Sequence, residues 1–247
     1  MKKKIILFLY LTSIIMITST YAETVQLPDG SIYEGSIVGG KFNGQGKLYS
    51  DGKTFYEGSF KDGLMDGYGV MNSDAFEYKG DFKCGKISGK GKIVYKNLLS
   101  YEGDFVNGLY HGYGILQADN GMRYEGEFKN NLMDGQGTCF YPDGSMYKGD
   151  FKDDMQEGHG ILILGDGRRY IGEFHKDVLS GQGQMITPEG KVISGEFENG
   201  VFKGKKQRGE NFEFAIIYKL IFLLSLLVNI ILSIQLIRRK NADKAIK

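Results

Sequence analysis

The chain has 247 residues with a formal net charge of +1, 37 glycines, three prolines and no tryptophan. This small net charge conceals an uneven distribution, because residues 23–213 carry 22 basic and 29 acidic side chains, a net charge of −7. This acidic majority argues against a nucleic-acid-binding protein. The many glycines and few prolines indicate a repetitive β structure rather than a conventional globular core.

Residues 1–22 have the pattern of a secretory signal peptide. Three lysines at positions 2–4 precede an apolar run over residues 5–17, and small residues at positions 20 and 22 fit cleavage before Glu23. An uncleaved membrane anchor is the alternative, although a membrane-spanning helix needs about 20 apolar residues.

From residue 33 the chain repeats a unit that opens with an aromatic residue. Successive openings are separated by 23, 22, 23, 23, 23, 23 and 23 residues, so the repeat is a property of the fold. The openings are Tyr33, Tyr56, Tyr78, Tyr101, Tyr124, Tyr147 and Tyr170, with Ile193 opening an eighth, incomplete unit.

Each unit begins with Y-x-G-x-F, which predicts a strand with these three residues on one face, because side chains alternate with period two. The glycines of this strand are Gly35, Gly58, Gly80, Gly103, Gly126, Gly149, Gly172 and Gly195. The aromatic residues two positions later are Phe60, Phe82, Phe105, Phe128, Phe151, Phe174 and Phe197, with Ile37 in the first unit.

A turn and a second strand complete each unit. Pairs such as Asp62-Gly63 and Asn130-Asn131 tolerate positive φ and predict tight β-hairpins. The second strand reads G-x-G-x-apolar, and its glycines are Gly67, Gly69, Gly89, Gly91, Gly112, Gly114, Gly135, Gly137, Gly158, Gly160, Gly181 and Gly183. We expect a Tyr or Phe ring to lie over a glycine of the neighbouring strand, so that a thin sheet buries aromatic area without a second layer.

The run Tyr101-Glu102-Gly103, followed by His111-Gly112-Tyr113-Gly114, resembles the MORN repeat (membrane occupation and recognition nexus) family. The resemblance covers residues 33–205. It departs from the family pattern where Phe replaces the commoner Trp, where Ile193 replaces Tyr, and where one unit is one residue short near Asp74.

The resemblance implies an all-β protein, an elongated single-layer antiparallel β-sheet solenoid of about eight 23-residue β-hairpin repeats. About 16 strands spaced roughly 4.8 Å apart would span about 75 Å. Residues 23–32 are predicted to form an N-terminal capping half-repeat, because the end of a solenoid otherwise leaves an unpaired strand edge.

The C-terminal part of the chain predicts a membrane anchor. Residues 206–219 form a polar juxtamembrane linker, residues 220–237 contain no charge and predict a transmembrane helix, and residues 238–247 form a basic tail. The three leading lysines are expected to stay in the cytoplasm. The prediction is therefore a single-pass type I membrane protein with exported repeats, in an extracellular, periplasmic or lumenal space, and a cytoplasmic C-terminus.

No residue pattern predicts catalysis, a metal site or a cofactor site. Cys84 falls in a turn and Cys139 at a core position about 20 Å away, so no disulfide is expected. The histidines His111, His159 and His175 occupy different places in different units, without metal-ligand spacing. The glutamates that follow the opening tyrosines are explained by a solvated sheet face.

Three functions are compatible with these features. The favoured one is a non-catalytic, membrane-anchored scaffold that binds an unidentified protein partner or itself. The alternative is a membrane-lipid module that binds phosphoinositide or phospholipid headgroups and tethers membranes, although an acidic repeat region on the non-cytoplasmic side suits anionic headgroups poorly. The third, an exported enzyme or carbohydrate binder that uses its aromatic stripe, has the least support.

Overall fold

The computed structural model describes residues 22–204, which form one open β-sheet of 17 strands. Each strand pairs antiparallel with the strands directly before and after it in the chain, so the sheet contains no crossover connection. The strands are β1 (Glu23–Gln26), β2 (Ile32–Val38), β3 (Lys41–Ser50), β4 (Lys53–Lys61), β5 (Leu64–Asn72), β6 (Phe76–Lys83), β7 (Lys86–Tyr95), β8 (Leu99–Val106), β9 (Leu109–Ala118), β10 (Arg123–Lys129), β11 (Leu132–Phe140), β12 (Met146–Lys152), β13 (Met155–Ile163), β14 (Arg169–His175), β15 (Val178–Ile186), β16 (Val192–Glu198) and β17 (Val201–Gly204).

The predicted all-β architecture of antiparallel hairpin repeats is confirmed for the described residues. Eight hairpins follow β1, beginning with β2–β3 and ending with β16–β17. The predicted cleavable segment, linker, transmembrane helix and basic tail lie outside the described residues, apart from Ala22. Between residues 22 and 204 there is no helix long and apolar enough to cross a membrane.

The hairpins close with two-residue turns in which both residues have positive φ. Asp62 and Gly63 have φ values of 52° and 90°, and Asn130 and Asn131 have values of 52° and 74°. These are the angles of a type I′ turn, whose twist matches that of the flanking strands. The turns lie where Asp-Gly and Asn-Asn pairs predict them.

Every hairpin also contains a β-bulge. In β10–β11, Gly126 lies opposite Gly137 but Phe128 lies opposite Met133, so the register shifts and Glu127 has no partner in β11. Gly135 sits in the bulge with φ of 115°, a conformation that side chains with a Cβ rarely adopt. The first glycine of G-x-G is therefore required by its backbone conformation, whereas the second is required because there is no room for a Cβ.

The core lies on one face of this single sheet. The opening tyrosines from Tyr33 to Tyr170 are 0% exposed, and phenylalanines such as Phe128 are almost as deeply buried. The Tyr124 ring lies nearly perpendicular to Phe128 in its own repeat and to Phe151 in the next, with both pairs of ring centroids 5.0 Å apart. Such edge-to-face pairs contribute about 0.5–1.5 kcal/mol beyond area burial, so each repeat is stabilised by its neighbour.

Gly126→Ala should strongly destabilise the sheet. A methyl group at Gly126 would lie 2.5 Å from the Tyr124 hydroxyl and 2.6 Å from both the Gln136 carbonyl oxygen and Gly137 Cα. Two of these atoms belong to the backbone, so the clash cannot be relieved by a side-chain rotation. We expect a loss of about 3 kcal/mol or more, measured as a lower urea midpoint by circular dichroism.

The matched control is Gly108→Asn. Gly108 has φ of 86° with open space around it, and the same turn position in the next repeat holds Asn131. This variant should unfold near the wild-type midpoint. Equal effects of the two substitutions would contradict the steric account.

Candidate functional site

Glycines form the floor beneath each opening tyrosine ring. The atoms nearest to a Cβ built at Gly137 all belong to Tyr124, and the equivalent tyrosine supplies the nearest atoms in every repeat from Tyr33 to Tyr170. The predicted contact between ring and glycine is therefore made by tyrosine. The phenylalanine rings instead lie nearly perpendicular to the tyrosine rings.

A second side chain covers the other face of the ring. Tyr33 stacks on Phe42 with ring centroids 3.7 Å apart, and Tyr101 stacks on Tyr110 at 3.8 Å. The same register position, opposite the repeat phenylalanine, holds Met65, Ile87, Met133, Gln156 and Leu179 in the other repeats from Tyr56 to Tyr170. Because both of their faces are covered, the opening tyrosine rings offer no surface on which a sugar could stack.

The tyrosine hydroxyl has its own structural role. In each repeat from Tyr33 to Tyr170 it donates a hydrogen bond to the backbone carbonyl three residues later, and for Tyr124 the acceptor is Glu127 at 3.0 Å. Glu127 is the residue that the bulge leaves without a partner in β11. Burial raises the pKa of Tyr56 to about 12, so this hydroxyl stays a neutral donor.

One repeat replaces an apolar cover with a polar one. Gln156 is 7% exposed, and its side-chain amide donates to the Tyr141 hydroxyl at 2.8 Å. Tyr141 packs against the core beside Cys139, the smallest side chain at its repeat position. The polar residue is thus tolerated because Tyr141 supplies a partner for the buried amide.

The opposite side of the sheet, here called the back face, is solvent-exposed and charged over β2–β8. Cross-strand register places Glu34 beside Lys47, Lys47 beside Glu57, and Lys92 beside Glu102. Between these pairs Val70 lies beside Glu57 and Lys79, and Lys79 lies beside Lys92. Lys47–Glu57 and Lys92–Glu102 form ion pairs of 3.2 Å. Exposed ion pairs of this kind contribute at most about 1 kcal/mol to stability. These charged residues from Glu34 to Glu102, here called the ladder, are therefore better suited to presenting charge to a partner than to stabilising the fold.

A shallow groove of about 660 Å³ lies at the edge of the sheet formed by the turns between repeats, beside the shortened unit that opens at Tyr56. Its floor includes Phe55 and Phe76, and Lys53 and Asp74 at its rim are 3.7 Å apart. The two lysines and three carboxylates that line it are not arranged as an acid–base pair, so the groove does not carry a catalytic assignment.

The remaining candidate residues are dispersed. Cys84 is exposed in a turn and Cys139 is buried, and both are free thiols. His175 Nδ1 lies 2.9 Å from Glu157 Oε1, and this hydrogen bond is the largest cause of the lowered pKa of Glu157. Within residues 22–204, no group of three or more His, Cys, Asp or Glu side chains is placed to hold a metal ion.

Sequence reasoning did not identify the hydroxyl contact or the Tyr141–Gln156 pair. The signal for the first was present, because the full units open with Tyr and never with Phe. The signal for the second was the polar Gln156 where other units have an apolar residue. Both roles depend on register, which the repeat pattern alone does not reveal.

Tyr141→Phe should destabilise the sheet by about 1–3 kcal/mol, because it removes the hydroxyl that accepts the hydrogen bond of the buried Gln156 amide. The second substitution Gln156→Met, which installs the residue found at this position as Met65 and Met133, should recover most of the loss. Urea unfolding of the two single variants and the double variant measures this coupling. Additive losses in the double variant would contradict the pairing.

The family model of the MORN repeat matches seven segments, which together make up more than half of the chain: residues 33–54, 56–73, 78–98, 101–123, 124–146, 147–167 and 170–192. The hairpin β16–β17 lies beyond the last match. No curated protein sequence gives a significant match to this chain.

Two solved structures match much of this chain with low sequence identity and low TM-scores. The TCP domain of SAS-4 (dCPAP) of Drosophila melanogaster, in complex with a proline-rich motif of Ana2 (dSTIL), is 16% identical with a TM-score of 0.36, over 73% of this chain and 92% of that chain. Virginiamycin B lyase from Staphylococcus aureus is 13% identical with a TM-score of 0.16, over 73% of this chain and 72% of that chain. The seven matched segments and the hairpin architecture place the chain in the MORN repeat family.

Proposed function

We propose that this protein is a non-catalytic interaction scaffold, anchored in a membrane through residues 220–237, with its repeats on the non-cytoplasmic side. The observation that supports the proposal most strongly is that the two faces of the sheet differ, one forming the core and the other facing solvent. The opening tyrosines and the repeat phenylalanines are buried in the core, whereas the opposite face carries charged side chains from Glu34 to Glu102, interrupted by Val70, that are exposed or partly exposed.

Family membership supports this proposal at a general level. MORN repeats indicate a repeat module that interacts with proteins or lipids, and the family is generally non-catalytic. A β-sheet holds backbone positions rigidly, so its exposed side chains form a preorganised surface that costs little entropy on binding. The alternating signs of Glu34, Lys47 and Glu57 suit a partner with complementary charges better than a uniformly anionic lipid surface.

The membrane anchor and the compartment rest on the sequence. The uncharged segment 220–237 is long enough to span a bilayer, and the N-terminal lysines with the apolar run after them favour export of the repeats. Under this proposal the ladder faces an extracellular, periplasmic or lumenal partner.

Reversing the ladder charge should abolish partner binding without unfolding the sheet. The full chain carrying Lys47→Glu and Lys92→Glu should lose a cross-linked adduct that the wild-type chain forms in its host membranes, as measured by mass spectrometry. The matched control, Lys53→Glu with Lys96→Glu, makes the same charge change in the same repeats but at the start of β4 and in a turn, away from the ladder, and should keep the adduct.

Retention of the same adducts by the ladder variant would contradict the proposal. Co-sedimentation of the full chain with protein-free vesicles, increasing with anionic lipid content, would favour the lipid alternative instead. Protease digestion of intact cells or sealed organelles, with a tag at Lys247, tests the proposed compartment separately. Cleavage of the repeats from the cytoplasmic face would overturn it.

A further inference from the structure

The character of the back face changes over β11–β16. One row across these strands contains Phe140, Met146, Ile163, Arg169, Ile186 and Val192, which are consecutive cross-strand neighbours. Ile161 and Ile171 are paired in the adjacent row. We call the seven apolar residues of these rows the apolar face: Phe140, Met146, Ile161, Ile163, Ile171, Ile186 and Val192.

The apolar face does not serve the core of this chain. None of its members is among the side chains packed against the buried aromatic cluster, and Val192 and Phe140 are 54% and 39% exposed. Other repeats build the same strands with charged residues, since Lys47 and Lys92 stand at the position of Ile161, and Glu57 and Glu102 at the position of Ile171. The fold therefore does not require these apolar side chains, and a contiguous apolar patch of this kind marks an interaction surface.

We propose that the apolar face packs against the same face of a second copy of this chain. The pairing has a two-fold axis parallel to the strands that passes between β13 and β14. This operation keeps each row opposite itself and reverses the order of the strands. Ile161 then lies opposite Ile171 of the second copy, Met146 opposite Ile186, and Phe140 opposite Val192. Ile163 lies opposite Arg169, the one charged residue of its row.

The polar rows support this arrangement. Along the row that includes Asp150, His159 and Glu173, the same operation places His159 opposite Glu173 and Asp150 opposite Gln182 of the second copy. In the central row, Lys148 faces Gln184. No like charges are opposed in these rows. An axis perpendicular to the strands would instead lay the row with Asp150 and Glu173 on the apolar row, at a desolvation cost.

The size of the contact predicts a weak dimer. Six strands about 4.8 Å apart and three rows about 7 Å apart give roughly 600 Å² per copy, below the roughly 800 Å² per partner of a standard stable interface. Extension toward the N-terminus would bury Lys92 and Glu102 of the charged ladder, so the contact is confined to the last repeats. If the chain is anchored as proposed above, confinement to one membrane raises the effective concentration and strengthens the pairing.

The test is the mass of the purified full chain in mild detergent, measured by light scattering over a range of concentrations. Wild-type chain should shift from monomer to dimer with increasing concentration. Ile161→Lys, which installs the residue that stands there as Lys47 and Lys92, should remain monomeric. Its matched control, Ile115→Lys, makes the same change at the same repeat position outside the apolar face and should still dimerise.

A second variant guards against a folding artefact. Ile171→Glu installs the residue found at this position as Glu57 and Glu102, and it should also be monomeric with an unchanged circular dichroism spectrum. A wild-type chain that stays monomeric throughout, or an Ile161→Lys chain that dimerises normally, overturns the proposal. A monomeric wild-type chain whose binding to lipid vesicles is lost in Ile161→Lys assigns the face to a membrane instead.

The dimer test is independent of the partner proposed above. The variant with Lys47→Glu and Lys92→Glu changes the ladder, not the apolar face, so its mass should match that of the wild type. Loss of the cross-linked adduct in this variant with dimerisation retained would show that the two surfaces act separately.

Discussion

The contact between a tyrosine ring and two glycines is the constraint on which each repeat depends. Tyr124 fits over Gly126 and Gly137 because neither has a Cβ, and its hydroxyl reaches the carbonyl of Glu127 at 3.0 Å. That carbonyl belongs to the residue that the bulge leaves without a partner in β11. Ring, glycines and bulge therefore depend on one another, and none can change alone.

This arrangement explains how one sheet can hold a core without a second layer. Each tyrosine from Tyr56 to Tyr170 is enclosed by glycines, a covering side chain and two perpendicular phenylalanine rings, one of which comes from the following repeat. Tyr33 has Ile37 in place of the phenylalanine of its own repeat. Each repeat is then stabilised mainly by contacts with its neighbours, as in other solenoids. Because the core uses one face only, the back face can vary freely, as the change from Lys92 and Glu102 to Ile161 and Ile171 shows.

The sequence predicted the hairpins because period-two alternation and turn pairs such as Asp62-Gly63 are local signals. The sequence did not distinguish the roles of the two glycines of G-x-G, since a bulge at Gly135 and a close contact at Gly137 both favour glycine. The apolar face was also missed. Phe140 and Val192 are 52 residues apart in the chain, and only the register of six strands shows that they lie in one row.

Urea unfolding of Tyr124→Phe tests the central claim most directly, with Tyr113→Phe as its control. Both substitutions remove one hydroxyl, but Tyr113 is 58% exposed on the back face whereas Tyr124 is 0% exposed. The account predicts a loss of about 1–3 kcal/mol for Tyr124→Phe, because the Glu127 carbonyl loses its donor, and little change for Tyr113→Phe. Equal unfolding midpoints for the two variants would contradict it.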